Sequence, residues 1–455
     1  MKKTKLWLLI LATLMLFALP AYADTKVTVE GKEYSLQAVT YQGHILIPLR
    51  DTSNLLGAKV NYLADVGIAY IEKNETQLRI HMGDALSYLN NKIVSSGVSP
   101  VVIEGKAYVP LRFLAESLNY NVTYAEDKIQ LTGKPLAKVH FIDVGFGDAI
   151  FIQLLNDKNI LIDAGDKKGG GTVATYLRNQ GVKEIDLVVS STVSQEHMEG
   201  LATIFQSFKV KKVIDTYTAS NDNYYERFKE ELTKRNISYE PANKQVLALS
   251  GVTFEILSSY GQMINADRPS KTIVSSLKVG DQSFLFMSDR TGQTEMSDIP
   301  AQKYIVLKIA DHGGIYSTSK ELLNLTKPEV AILTSDNSVL GYPKGTTLKR
   351  IQEAGAKLYS TGTNGTIIIE TDGKKYSIIS ENHQQVQIDV EKDHELHIDT
   401  GLTNGKFLGD RVTGKYHHPN CEEAKKIPEE NRTWLIDKAQ AEINGYYPDD
   451  LCKPE

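Results

Sequence analysis

Three short runs in the middle of the chain constrain its fold more than any other feature. Each is an apolar strand that stops at a loop rich in acidic residues and glycine. Val139-His140-Phe141-Ile142-Asp143-Val144 leads into Gly145-Phe146-Gly147-Asp148-Ala149, and Ile160-Leu161-Ile162 leads into Asp163-Ala164-Gly165. Leu187–Ser191 leads into Thr192-Val193-Ser194-Gln195-Glu196-His197-Met198-Glu199-Gly200-Leu201. Glycines at strand ends permit backbone angles that other residues resist, so Gly145, Gly147 and Gly165 read as structural. From residue 136 to 382 short β-rich runs alternate with helical ones, with a helix expected at 173–180. A second β-rich block begins at Thr253–Leu257 and continues through Ile273–Val279, Ser283–Met287, Ile305–Ala310 and Val330–Thr334. Thr366–Glu370 and Lys375–Ile379 close it. Two β-rich halves with surface helices suit an αββα sandwich, in which helices cover the outer faces of two packed sheets.

At 455 residues the chain is too long for one ordinary domain. Its first 23 residues have the three parts of a secretory signal: Lys2, Lys3 and Lys5, an apolar run from Leu6 to Leu19, and Ala21-Tyr22-Ala23 before Asp24. The apolar run is short for a bilayer span, and no later segment is suited to crossing one. Cleavage removes three lysines and no acids, leaving 48 basic against 56 acidic residues and a net charge of −8. That balance argues against binding nucleic acid or anionic lipid through bulk charge. The expected location is outside the cell or on its surface.

Residues 24–133 contain an internal repeat. Ile47-Pro48-Leu49-Arg50 recurs as Val109-Pro110-Leu111-Arg112, and the same offset of 62 relates Leu56 to Leu118, Val60 to Val122 and Tyr62 to Tyr124. Each copy reads as a strand ending at proline, a short amphipathic helix and two further strands, one unit used twice around a shared core. The pattern is similar to the copper amine oxidase-like N-terminal domain, a stalk module of exported Gram-positive proteins. The resemblance implies a spacer or surface role. His44 and His81 are the only histidines in this region, too few for a copper site.

The central runs resemble the metallo-β-lactamase-fold domain of the ComEC family, whose text reads DVGQGDA, LIDAG and THxHxDHxGGL. Positions carrying the first two histidines of HxHxDH are here Thr192 and Ser194, the aspartate is Glu196, and His197 is retained. The family's bridging aspartate resembles Asp289, its HHGS loop resembles Asp311-His312-Gly313-Gly314, and its GHP resembles Gly341-Tyr342-Pro343. Phe146 stands in the place of glutamine. The resemblance implies a hydroxide held between two metals for ester or phosphodiester hydrolysis. Neutral hydroxyls at 192 and 194 are poor zinc ligands, so the first metal position has little to hold it. Glu196, His197, Asp289 and either Asp311 or His312 remain for at most one divalent metal, with Asp163 bracing the loop. Glu196 reaches roughly 1.5 Å further than aspartate. If no metal binds, His197 reads as a cap on a helix 198–207, Asp289 as a turn residue and His312 as part of a tight loop.

After Ser380 the text turns polar and aperiodic to about Lys406, a linker by composition. The last fifty or so residues are too few to bury much core unaided and need a staple. Lys415-Tyr416-His417-His418-Pro419-Asn420-Cys421 and Gly445-Tyr446-Tyr447-Pro448-Asp449-Asp450-Leu451-Cys452 resemble the ends of the Ada-type metal-binding module. That resemblance implies a structural zinc on His417, Cys421, Asp449 and Cys452, with Asp449 in the place of a cysteine. The other staple open to an exported chain is a Cys421–Cys452 disulfide.

The expected architecture is therefore multidomain α+β. After the signal at 1–23, a stalk occupies 24–135, an αββα metallo-β-lactamase sandwich 136–382, a linker 383–405 and a small module 406–455. The expected function is an exported binding or envelope-associated protein with a degraded metal site, non-catalytic or weakly active. The other reading is a single-metal extracellular hydrolase of the phosphodiesterase or nuclease kind. A cell-envelope or extracellular partner is implied, and nucleic acid only by family analogy.

Overall fold

The computed structural model describes residues 22–452 except 75, 126–127, 156–157, 217–219, 221, 250–251, 266–267, 292–294, 337–341, 387, 389–403, 412, 414, 439–440, 442–445 and 450. The signal reading falls on residues 1–21 and the two that follow, so it lies almost wholly outside the described residues. No helix among them is long and apolar enough to cross a membrane. The chain divides into two compact units, one ending at Lys134 and the other beginning at Pro135.

In the first unit the two Pro-Leu-Arg copies meet directly. His44–Pro48 and Lys106–Pro110 pair antiparallel, with Val109 opposite Ile47 and Tyr108 opposite Pro48. Each strand stops at its proline and runs into a seven-residue helix, Leu49–Leu55 or Leu111–Ser117. Beyond the helices the copies diverge. Tyr120–Ala125 and Lys128–Gly133 join a seven-stranded sheet, where Lys128–Gly133 lies parallel to Tyr22–Val29. The corresponding Lys59–Leu63 and Ile68–Lys73 instead begin a separate five-stranded meander. One buried cluster, including Ile47, Leu56, Ile71, Val109, Leu118 and Leu131, joins the two sheets.

The second unit is built round a two-sheet sandwich. One sheet has eight strands in the order Ser238–Pro241, Lys212–Asp215, Leu187–Ser190, Asn159–Ile162, Ile150–Leu154, Ala137–Phe141, Ile367–Thr371 and Tyr376–Ser380. The other has seven: Gln245–Leu249, Val252–Asn265, Arg268–Val279, Gln282–Phe286, Val306–Lys308, Val330–Leu333 and Lys357–Ser360. Val139, Phe141, Ile152, Phe254, Leu277, Phe284 and Ile332 pack between them. Helices Lys167–Asn179, Leu201–Ser207 and Asn223–Lys234 cover one outer face, and Lys320–Thr326 and Gly345–Glu353 the other. This is the αββα metallo-β-lactamase fold. Parallel strands such as Leu187–Ser190 and Val330–Leu333 are buried along their whole length, which is why they read as unbroken apolar runs.

Two helices differ from expectation. The first begins at Lys167, six residues early, behind Asp166, whose carboxylate accepts the Gly169 N–H at 2.7 Å. Gly169-Gly170-Gly171 disguises this start because glycine disfavours helix. Its reason is tertiary, since a Cβ on Gly170 would lie 2.6 Å from the Gly200 Cα. The second, read as 198–207, is split into Gln195–Met198 and Leu201–Ser207.

The polar run after Ser380 begins docked. Asn364 Nδ2 donates to the carbonyls of Asn382 and Gln384 at 3.1 and 2.8 Å, and Val386 and Ile388 pack on the outer apolar cluster. The terminal module has a four-stranded sheet, Arg432–Leu435, Phe407–Asp410, Lys415–His417 and Tyr447–Pro448, over Phe407, Tyr416, Leu435, Ala441 and Tyr446. Across the sandwich, Asp163, Ser191, Asp289, His312 and Thr334 all follow the carboxyl ends of strands, so one edge of the fold collects them.

Candidate metal centre

The loop that carries Glu196 and His197 is held by backbone on both sides. The Asp148 N–H donates to the Glu196 carbonyl at 3.2 Å, and the Ala164 N–H donates to that of His197 at 2.9 Å. A Cβ on Gly147 would overlap the Glu196 carbonyl oxygen, and Gly147 has φ +151°, so glycine is required there. His197 is not a helix cap. It lies inside the short helix Gln195–Met198 with its ring fully buried. Its Nδ1 is 2.8 Å from Asp163 Oδ2, and the other oxygen of Asp163 accepts the Ser191 N–H at 2.7 Å. The anchored ring points its Nε2 outward, 3.1 Å from Asp289 Oδ2.

His312 is anchored in the same sense by a different group. Its Nδ1 donates to the Thr334 carbonyl at 2.8 Å, leaving Nε2 3.8 Å from Asp289 Oδ1. Asp311 and His312 have φ of +47° and +45°, a left-handed pair that non-glycine residues adopt at a cost of about 1–3 kcal/mol each. Phe146 packs on His312 with ring centroids 4.3 Å apart and the rings tilted by 45°, and meets Tyr342 at 5.5 Å, which makes this corner apolar. Gly341, the partner of Tyr342 in the sequence motif, lies outside the described residues.

One oxygen or nitrogen from each of Glu196, His197, Asp289 and His312 lies within 4.8 Å of the others. Nε2 of both histidines and Oδ1 of Asp289 are buried and make no aligned hydrogen bond among the described residues. Two imidazoles with anchored inner nitrogens, facing carboxylates across a small gap, are what a divalent cation needs. The residues fit such an ion. Asp311 stands outside this set of four and is drawn towards Tyr342. Thr192 is buried and Ser194 partly so, and both offer only hydroxyls.

The electrostatics agree. Burial pushes the Asp311 carboxyl well above its ordinary range, and neighbouring Asp289 adds to this. Burial also disfavours the Asp289 carboxylate, but His197, His312 and Lys308 outweigh it and hold this group well below the usual range. Burial would lower His197, yet Asp289, Asp148 and Asp163 raise it well above an ordinary imidazole. Burial dominates for His312 and lowers it. Asp289 and Asp148 thus hold negative charge beside His197, and that charge favours its protonated form.

In the terminal module Cys421 and Cys452 are joined as a disulfide. His417 Nδ1 lies 3.2 Å from Cys452 Sγ. Asp449 is turned elsewhere: it pairs with Lys415 at 3.0 Å and accepts the N–H groups of Leu451 and Cys452, each at 3.0 Å. Of the four residues read as zinc ligands, two are bonded to each other and a third caps a turn. A tetrahedral zinc would need both thiolates free and Asp449 released.

Two site residues escaped the sequence reading. Asp148 has no role of its own in the motif that contains it, and Lys308 reads only as part of a strand. The signal for Lys308 was present, as a lysine inside the apolar run Ile305-Val306-Leu307-Lys308-Ile309-Ala310.

Residues 28–132 match the family model of the copper amine oxidase N-terminal domain. The ComE operon protein 3 of Bacillus subtilis is 23% identical over 252 residues, covering 50% of this chain and 32% of that protein. Recombination protein 2 of Haemophilus influenzae is 28% identical over 242 residues, covering 51% and 29%. The chain thus spans about a third of the length of these curated relatives. Among solved structures, the metallo-β-lactamase-fold protein YhfI of Bacillus subtilis aligns at 12% identity and TM-score 0.38, over 51% of this chain and 99% of that one. Igni18, a metallo hydrolase of Ignicoccus hospitalis, aligns at 16% and 0.35, over 51% and 98%. The chain carries a copper amine oxidase N-terminal domain at residues 28–132, followed by a metallo-β-lactamase-fold domain similar to ComE-type proteins.

Proposed function

We propose that this is an exported, envelope-associated protein whose lactamase-fold domain has lost its two-metal machinery and binds one divalent cation. It works as a binding module for an anionic, phosphodiester-type ligand, with feeble or no turnover. One observation carries the reading: Glu196, His197, Asp289 and His312 converge with both imidazoles anchored, while positions 192 and 194 supply only hydroxyls. A single cation supplies one Lewis acid for an anionic oxygen, whereas a pair clamps both the attacking and the leaving oxygen. Asp163 and the Thr334 carbonyl orient the two rings, and Phe146 and Tyr342 shield one side from water. The choice of ligand class rests on likeness to the ComE-type relatives.

A second reading, a single-metal phosphodiester hydrolase, is favoured by the position of Asp289. Its side chain is 18% exposed, so an ion held there keeps a side open to water. Elemental analysis of the full chain after equilibration with zinc or manganese, together with hydrolysis of bis-p-nitrophenyl phosphate, separates the readings. One metal per chain and a rate near background are expected. Thr192→His with Ser194→His, and Glu196→Asp added to shorten the reach, is expected to raise the stoichiometry above one. Turnover with one metal supports the hydrolase. Two tightly held metals in the unaltered chain, or none, overturn the single-cation reading.

A further inference from the structure

Lys308 has no exposed surface, and Val306, Leu307, Ile309 and Ala310 around it are buried as well. A lysine is almost never fully buried unless it is paired. Its ammonium is ion-paired with Asp148 Oδ2 and donates to the Ser288 carbonyl at 3.4 Å. Asp148 is also buried, and its Oδ1 accepts the Thr334 hydroxyl at 2.5 Å. The two oxygens of this carboxylate lie beneath the cation ligands. Oδ2 is 3.7 Å from the His197 Nδ1, and Oδ1 is 3.7 Å from the His312 Nδ1.

We propose that Lys308 and Asp148 form a positioning pair for the cation site, fixing the direction of both ligand imidazoles and the backbone that carries Asp289. The proposal rests on the single-cation reading above. Each ring already has a closer acceptor for its inner N–H: Asp163 for His197 and the Thr334 carbonyl for His312. A bare buried carboxylate at 3.7 Å from both would compete for those protons and swing each Nε2 away from Asp289. Lys308 occupies one of its oxygens and the Thr334 hydroxyl the other, which leaves both rings to their own anchors. The third contact completes the arrangement. The Ser288 carbonyl receives the Lys308 ammonium and also the Asp311 N–H at 3.0 Å, so one cation ties together the segments before Asp289 and His312. Fold stability does not explain such a pair, because a well-packed apolar replacement of a buried ion pair is often neutral or stabilising.

The test uses the full chain and Co²⁺, read by ligand-field absorption and by titration. Unaltered protein is expected to bind one Co²⁺; if it binds none, the single-cation reading fails and this inference falls with it. Lys308→Met leaves the Asp148 charge bare and is expected to lose fold stability as well as affinity. Lys308→Met with Asp148→Asn removes that charge but also the tie to the Ser288 carbonyl next to Asp289, so this double variant is expected to fold yet bind Co²⁺ about 10- to 100-fold more weakly, with altered bands. Thr334→Val keeps the carbonyl on His312 and deletes only the hydroxyl on Asp148, and a smaller change in the same direction is expected. A folded double variant with the affinity and bands of the unaltered protein would show a merely structural pair. An unchanged spectrum in Thr334→Val would also overturn the proposal.

Discussion

Replacing Cys421 and Cys452 together by serine tests what holds the terminal module. The disulfide closes a separation of 31 residues. Loop-closure entropy for that length is about 12 cal/mol/K, so cross-linking the unfolded chain contributes about 3.7 kcal/mol at 25 °C. The module's own apolar support is small: Phe407, Tyr416, Leu435, Ala441 and Tyr446 in one cluster, and Leu408, Ala424 and Ile427 in another. A core of that size supplies about 3–5 kcal/mol at best, so loss of the bridge removes a contribution as large as the core's own and leaves the module only weakly stable. Hydrogen exchange of the full chain, with and without reductant, is the assay. Reduction or the double substitution is expected to deprotect residues 404–452 while the sandwich strands stay protected. Exchange should also rise near Tyr316, whose hydroxyl donates to the Tyr446 carbonyl at 3.0 Å. The reasoning is refuted if reductant changes nothing while a chelator removes zinc and deprotects the same residues. In that case His417, both thiols and a released Asp449 would be the staple.

Two other perturbations follow from the central site. Without a metal, His197 titrates well above an ordinary imidazole, so it is protonated at neutral pH and a cation must displace that proton. Binding should release about one proton, with affinity rising with pH until the raised value is reached, as measured by calorimetry in buffers of different ionisation enthalpy. For the metal-free protein the sign is opposite. The raised group stabilises fully below its unfolded value of about 6.5, and that stability is lost as pH climbs through the folded value. Gly200→Ala should destabilise by about 1–3 kcal/mol or more and loosen metal binding, because the new methyl meets the Ala164 carbonyl and lies 2.8 Å from Gly170. A thermal melt unchanged from that of the unaltered chain would show that this contact relaxes freely.

How far the sequence reveals this site depends on where each contact comes from. Glu196 and His197 share one loop, and the strands around them are continuous apolar runs, so their presence at a sheet edge is legible in the text. Ala137–Phe141, Asn159–Ile162 and Leu187–Ser190 lie close to the apolar runs that mark them, whereas the short strand Lys212–Asp215 has no such run in the sequence reading. The helix at Lys167 is not legible, because Gly169 and Gly170 look like breakers until Gly200, thirty residues on, is seen against them. Asp449 has ligand spacing beside Cys452, but Lys415, 34 residues away in sequence, claims one of its oxygens. The same holds for the imidazoles. Motif spacing brings His197 and His312 to one edge, but the direction of each Nε2 is set by Asp163 and the Thr334 carbonyl, which follow the ends of other strands. A histidine becomes a ligand only when its inner nitrogen is fixed by such a partner, and that pairing is a property of the packed sheets. Lys308 is the exception that sequence can flag, since a charge inside a fully apolar strand requires a buried partner, although only the packed sheets show that this partner is Asp148.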